Sequence, residues 1–237
     1  MQLPFIKPSW ENAQKLEINH WEDTKSIINN KDFDNYLQSR GSRIKSLLDK
    51  HNYVKFDSII DIGCGACPVG NFLKHENIKL NDSLLDYYEK EFPRRFNFKY
   101  ESSNAKIEEL INKEEKYDLV ICRNMLDHVD NLESTLKNIK KLLTKKGIIY
   151  LGQNTFSGLF YWWKFIYKDP EHPYTFKHKK FEKLLSKYDF KIIYKLYDDP
   201  YYLETFSMFE EGGFLKTKIR NFLINNMQYH FDEYILT

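Results

Sequence analysis

Residues 59–73 read IIDIGCGACPVGNFL. The apolar run Ile59-Ile60-Asp61-Ile62 passes into a turn spaced by Gly63 and Gly65, then through Pro68 into a second apolar stretch. Glycine lets the backbone turn tightly and come close to a ligand that a side chain would exclude. Pro68 suits the first position of a helix, whose amino end then faces that ligand. The stretch therefore predicts a buried strand, a ligand-binding turn and a helix. A dinucleotide fingerprint asks for glycine three positions after the second one. Pro68 stands there, which disfavours a nicotinamide or flavin dinucleotide.

The flanking sequence has the pattern of an α/β protein. Residues 1–55 are polar, with Trp10, Trp21, Phe33, Tyr36 and Leu37 scattered and Ile44, Leu47 and Leu48 at helical spacing, and they predict a helical cap. From Ser58 onwards short β-rich runs alternate with helical stretches. Strands are expected at 58–62, 78–81, 96–100, 118–122, 147–152 and 190–196. Helices are expected at 69–75, 84–91, 107–112, 132–143 and 178–187. This alternation predicts a doubly wound, Rossmann-like parallel sheet with helices on both faces, whose ligand crevice lies beyond the carboxyl ends of the strands. The organisation read from it is a helical N-terminal cap over 1–55, a ligand-binding core over 56–155, and a segment 156–237 of the same domain. That last segment carries a lid, the remaining sheet elements and a C-terminal extension.

Composition narrows the classes of partner. Thirty-six basic and 34 acidic side chains leave a formal charge of +2, too small for a field that recruits nucleic acid or acidic lipid. Three cysteines make no disulfide framework in 237 residues, and the first residues show no charged leader followed by an apolar run. The chain reads as a soluble cytoplasmic protein. The run GLFYWWKFIY at 158–167 contains Lys164 and is much shorter than the roughly 20 residues of a spanning helix. Its Tyr161, Trp162, Trp163, Phe165 and Tyr167 form an aromatic cluster suited to packing or to covering a ring. The tail at 216–225 has the pattern of a basic amphipathic helix. Oligomeric state is open.

Asp61-Ile62-Gly63-Cys64-Gly65 resembles the first motif of class I S-adenosylmethionine-dependent methyltransferases, D/E-x-G-x-G-x-G, with Cys67 in place of the last glycine. YDLVICRNMLDHVDN at 117–131 resembles the fourth motif of the small-molecule members. LKNIKKLLTKKGIIYL, which follows it, resembles their next helix, turn and fifth strand. The matching pieces run in one order over about residues 57–152. The resemblance implies S-adenosyl-L-methionine as cofactor, with the contact stretch at Asp61, Gly63, Cys64 and Gly65. It implies a ribose-binding acid at Asp82, with Asn81 as a one-position alternative, and adenine contacts at Asn104 and Ala105. Arg123 begins the stretch after the fourth strand and joins the cofactor set.

Methyl transfer from a sulfonium is an in-line displacement, so alignment of acceptor and methyl is the enzyme's main task. A neutral alcohol must also lose its proton, for which an imidazole is the natural base. His128 is the candidate general base. Asp127 orients it or binds substrate, and His172, held between Pro170 and Pro173, reaches over the acceptor pocket. No metal is assigned; convergence of Asp127, His128 and His172 on a divalent ion is the lesser alternative, because spacing along the chain does not establish it. The favoured reading is O-methylation of a small molecule, a sugar or nucleotide-linked metabolite ahead of a phenol, with no nucleic-acid substrate. Its rivals are a catalytically silent cofactor-binding or scaffolding relative and a dinucleotide oxidoreductase. The Cys64-Gly65-Ala66-Cys67 spacing also admits redox exchange or a metal, against the simpler reading of two small loop side chains.

Overall fold

The computed structural model describes residues 10–53, 55–110, 115–158, 161, 172–196 and 229–237. The chain opens with the expected helical cap: α1 (Trp10–Asp23), α2 (Lys25–Ile28) and α3 (Lys31–Lys50). Leu37, Ile44 and Leu48, seven and four residues apart on one stripe of α3, are buried. Gly41 permits close packing there, since a Cβ at that position would lie 2.0 Å from the Cβ of Phe72.

Seven strands follow: β1 (Ile59–Ile62), β2 (Ile78–Asn81), β3 (Glu101–Ser103), β4 (Tyr117–Arg123), β5 (Leu143–Phe156), β6 (Ile192–Leu196) and β7 (Tyr229–Leu236). They form one sheet in the order β3-β2-β1-β4-β5-β7-β6. The first five pair in parallel, while β7 runs antiparallel between β5 and β6. Strands buried on both faces read as continuous apolar runs, and all four residues of β1 are buried, Asp61 among them. Successive residues of β1 face opposite layers. Ile60 and Ile62 join Val120 and Cys122 under α5 (Leu132–Lys141) and α6 (His178–Lys187). Ile59 joins Leu119 and Ile121 under α3 and α4 (Leu85–Glu91). The chain moves from β1 outward to β2 and β3 and then returns to add β4 on the other side. The crevice opens at that reversal, beyond Ile62 and Arg123.

Several expected boundaries differ. The third strand is Glu101–Ser103 rather than 96–100, because Pro93–Phe96 closes into a 3-10 turn that buries Phe96. The expected helix at 69–75 is a single 3-10 turn, Gly70–Leu73. Residues 107–110 form turns, and 111–114 lie outside the described residues. The fifth strand is longer than expected and reaches Phe156, which takes the start of the expected lid into the sheet. Strand β7 has no counterpart in the sequence reading. The expected tail helix and the aromatic residues 162–167 lie outside the described residues.

An ion pair fastens the cap to the sheet. Glu233 of β7, 1% exposed, accepts from Arg43 Nη2 of α3 at 2.9 Å and from the Tyr150 hydroxyl of β5. Removing one partner of a buried charged network strands the other. Arg43→Ala, which leaves the buried Glu233 without its cation, is expected to lower unfolding free energy by about 2–4 kcal/mol, read from the midpoint shift in a denaturant titration. Lys45→Ala, which removes an exposed pair to Asp49, is expected to shift it by less than about 0.5 kcal/mol.

Candidate active site

The turn after β1 is built by two left-handed glycines and two buried carboxylates. Gly63 and Gly65 have φ of 59° and 56°. The Gly63 amide donates to the Asn81 carbonyl at 2.7 Å, which ties the turn to the end of β2. A Cβ on Gly63 would stand 2.1 Å from Met125 Cγ, so its absence admits the residue that follows β4. A Cβ on Gly65 would make an ordinary contact with Trp21, at 3.6 Å, so its left-handed φ rather than crowding asks for glycine. Asp61 Oδ2 accepts from the amides of Val69 and Gly70, both at 3.0 Å. Those amides are therefore committed to Asp61, and no helix terminus points at the crevice from this turn. Asp82 Oδ2 accepts from the Gly65 amide at 3.0 Å and its Oδ1 from the Leu84 amide at 2.9 Å. Burial raises both carboxyls above their ordinary range, Asp61 to about 7 and Asp82 to about 6. The amide donors oppose the shift in each case, and Arg123 opposes it at Asp61.

These groups line a cavity of about 390 Å³, within the roughly 300–1,000 Å³ typical of small-molecule sites. Helix α1 forms its outer wall. Trp21 packs edge-on against Tyr88, centroids 5.8 Å apart, and its Nε1–H donates to Glu17 Oε1 at 2.7 Å. Trp10 lies under the Lys106 ammonium, 3.6 Å from ring centroid to Nζ. The Ser83 hydroxyl donates to Gln14 Oε1 at 2.7 Å. Glu17, Asp61, Asp82 and Glu108 put four carboxylates on the lining against the cations of Lys106 and Arg123. That balance, with aromatic rings opposite a glycine turn, fits a ligand with a positive centre and a flat ring. S-adenosylmethionine has both.

Of the residues singled out by sequence, Asp61, Gly63, Cys64, Gly65, Asp82, Ala105, Arg123 and His128 line this cavity. Asn104, Asp127 and His172 are not among its lining. Asn104 is turned to Asp86, accepting from its amide at 3.0 Å and donating to its carboxylate at 2.7 Å, so it secures the start of α4. Asn81 also has a structural task, donating to the Ser103 and Ala105 carbonyls, and this leaves Asp82 as the acid at the strand end. Arg123 holds its guanidinium over the Phe231 ring, 5.5 Å from the centroid.

His128 stands where cap and core meet. Its Nδ1 lies 3.6 Å from Glu17 Oε2 and its Nε2 lies 3.9 Å from Asp127 Oδ1, while its ring centroid is 4.4 Å from that of His172. Asp127, His128 and His172 are thus brought together although 44 residues separate the last two. Glu17 and Met125 escaped the sequence reading, since a lone acid in a polar helix and a methionine after a strand carry no spacing signal. Cys64 and Cys67 are free thiols, and burial raises both, Cys67 to about 12. Thiols held protonated are poor nucleophiles and poor ligands, which favours the simpler reading of two small loop side chains.

The strand order and the glycine turn at its reversal define the fold of class I methyltransferases, whose cofactor is S-adenosylmethionine. The family described as "Methyltransferase domain" matches residues 33–195, and the chain belongs to it. A ubiquinone biosynthesis O-methyltransferase of Rickettsia bellii is 28% identical over 109 residues, covering 44% of this chain and 45% of that protein. An uncharacterized protein of Methanocaldococcus jannaschii is 34% identical over 104 residues, 44% of each chain. The matched part thus spans less than half the length of these curated relatives. Among solved structures, the N-methyltransferase NodS of Bradyrhizobium japonicum, in complex with S-adenosyl-L-homocysteine, aligns with a TM-score of 0.60 at 12% identity. That alignment covers 95% of this chain and 98% of NodS. An S-adenosylmethionine-dependent methyltransferase of Clostridium acetobutylicum aligns at 0.56 and 17% identity, over 83% and 89% of the two chains. At these identities the structures speak to the fold.

The site predicts its own pH response. Ionised carboxylates on the lining favour a positively charged ligand through the field of the cavity, and those of Asp82 and Asp61 become protonated as pH falls through about 6 to 7. Affinity for S-adenosylmethionine is expected to be highest above that window and to decline below it, with a smaller decline for S-adenosylhomocysteine, whose sulfur is neutral. Calorimetry from about pH 5 to about pH 8 checks the difference. Gly63→Ala combines a strained φ with a collision against Met125. It is expected to weaken binding of both compounds by at least about tenfold, a loss of about 1.4 kcal/mol in the same calorimetry.

Proposed function

We propose that this chain transfers a methyl group from S-adenosylmethionine to an oxygen of a small molecule, with His128 relieving the acceptor of its proton. The observation that carries the reading is that one cavity is lined at once by the glycine turn, by Asp82 and by His128. Bound there, the cofactor supplies an electrophilic methyl on a positively charged sulfur. The chain's residues do the rest. Gly65 keeps a side chain out of the approach, Gly63 leaves room for Met125, and Asp82 has lone pairs left on both oxygens for ribose hydroxyls beyond the amides it already accepts. Asp61 holds the loop, and the aromatic side chains of Trp21 and Tyr88 are part of the lining.

The preference for oxygen draws on His128 and on the name of the Rickettsia relatives, which are O-methyltransferases. A sugar or nucleotide-linked metabolite is the first acceptor class. A phenolic ring is the second, favoured by those relatives' link to ubiquinone biosynthesis and by the aromatic wall of the cavity. No helix among the described residues is long and apolar enough to cross a membrane.

Incubating the protein with cell-extract metabolites and methyl-labelled cofactor is expected to label an ether oxygen. Tight binding of S-adenosylhomocysteine with no transfer to any fraction would favour a silent relative, and label on nitrogen or carbon would remove the oxygen assignment. With the acceptor in hand, His128→Ala is expected to lower kcat by about 10²–10⁴-fold while leaving S-adenosylhomocysteine affinity within about twofold. An unchanged kcat, with chemistry limiting the rate, removes His128 from proton transfer.

A further inference from the structure

We propose that Asp127, His128 and His172 form a binding site for a divalent first-row transition ion at the acceptor end of the cavity. The proposal rests on the reading of the cavity as an O-methyl transfer centre, and it names how His128 governs the acceptor's proton and which acceptors fit.

Each of the three residues offers one ligand atom, and these atoms lie within 4.8 Å of one another. Ligand atoms about 2.0–2.2 Å from a common ion stand roughly 3–4 Å apart, so a small contraction closes the set. The Asp127 side chain is 4% exposed and its buried Oδ1 accepts no hydrogen bond. Leaving a buried carboxylate oxygen without a partner is costly. His128 Nε2 is 3.9 Å from it, beyond hydrogen-bond reach but compatible with an ion between the two.

The tautomer points the same way. Glu17 Oε2 faces His128 Nδ1 at 3.6 Å, and Glu17 is itself held by the Trp21 indole at 2.7 Å. A carboxylate opposite one ring nitrogen favours the proton there and leaves the lone pair on the other, the arrangement common behind metal-bound histidines. With the proton on Nδ1, the Nε2 lone pair meets the bare Asp127 oxygen. Two electron-rich atoms then face each other, and a cation relieves the repulsion. The backbone holds the third ligand in place: the Tyr174 amide donates to the Asp127 carbonyl at 3.2 Å, and the Tyr174 hydroxyl donates to the Asp130 carbonyl at 3.1 Å. His172 is thereby strapped beside the loop that follows β4.

Two imidazoles with one carboxylate suit zinc, manganese, iron or cobalt, whereas calcium and magnesium prefer all-oxygen sets. Three protein ligands leave coordination positions open, and His128, which lines the cavity, sets the ion beside it. An acceptor hydroxyl bound there releases its proton to water near neutrality. Its oxygen lone pair then forms the O–C bond as the S–C bond breaks, and the sulfonium becomes a neutral thioether. Two open positions select acceptors with adjacent oxygens, such as a vicinal diol or a catechol.

The test uses the full, untagged chain stripped with a chelator and titrated with Co²⁺. A 1:1 complex with visible d–d absorption is expected, displaced by Zn²⁺ and absent in Asp127→Asn and His172→Ala. Glu17→Gln, which removes the charge opposite the other ring nitrogen and keeps an amide oxygen for the Trp21 indole, is expected to weaken Co²⁺ binding by about 10–100-fold. S-adenosylhomocysteine affinity, measured on each variant, reports whether the cofactor site is intact. No 1:1 absorption in a wild-type protein that binds S-adenosylhomocysteine, or absorption unchanged in His172→Ala, overturns the ion site and leaves methyl transfer standing. Loss of S-adenosylhomocysteine binding in the wild type overturns the underlying reading instead. Methyl transfer undiminished after chelation also overturns the ion and returns His128 to direct proton transfer.

Discussion

The carboxylate of Asp61 holds the two ends of the binding loop together. Its Oδ2 gathers the amides of Val69 and Gly70 across eight and nine residues, within a strand that is buried on both faces. A charged side chain in that position is costly to desolvate, and its carboxyl is accordingly raised to about 7. The cost is offset locally by the two amide donors and by Arg123, so the acid and the loop stabilise each other. With the loop held, Gly63 bonds to Asn81, Gly65 bonds to Asp82, and Met125 fills the space a side chain on Gly63 would need. The ends of β1, β2 and β4 are then fixed relative to one another, and the crevice at the strand reversal has defined walls.

The cap contributes chemistry as well as cover. Trp21 and Glu17 belong to α1, more than 100 residues from His128, yet Glu17 sits beside that imidazole and the indole fixes Glu17. The cap is in turn anchored from the far end of the chain, through Arg43 on Glu233. Alignment of an acceptor with a methyl group depends on walls held to fractions of an ångström. Here three distant parts of the chain supply those walls. The proposed ion site extends the same dependence, because its ligands come from the loop after β4 and from the strap that carries His172.

Much of the core was legible in the sequence because its signals are local. A left-handed turn needs glycine, a buried parallel strand needs an unbroken apolar run, and a surface helix needs an apolar stripe; 59–65, 78–81, 117–123 and 132–141 show these directly. The misplacements have local causes too. Phe96, Phe98 and Tyr100 resemble a strand by composition, but the chain closes a 3-10 turn over Pro93–Phe96 and pairs only from Glu101. Pro68 reads as a helix start, but Asp61 captures the amides that an α-helix would have left at its first turn. Asn104 shows how a position expected from resemblance is reassigned by a nearer partner, here the Asp86 amide and carboxylate.

By itself, the sequence determined the strand, the glycine turn, the acid at the end of the second strand and the alternation that places a crevice beyond them. Each depends on the conformational limits of one residue or on burial repeated along a short stretch. Tertiary structure decided which side chains meet: Glu17 with His128, His172 with Asp127, Arg43 with Glu233, and the antiparallel strand β7 between β5 and β6. These pairings join residues far apart in the chain, where no periodicity operates. They are set by the twist and order of the sheet and by the electrostatic cost of leaving a buried charge alone.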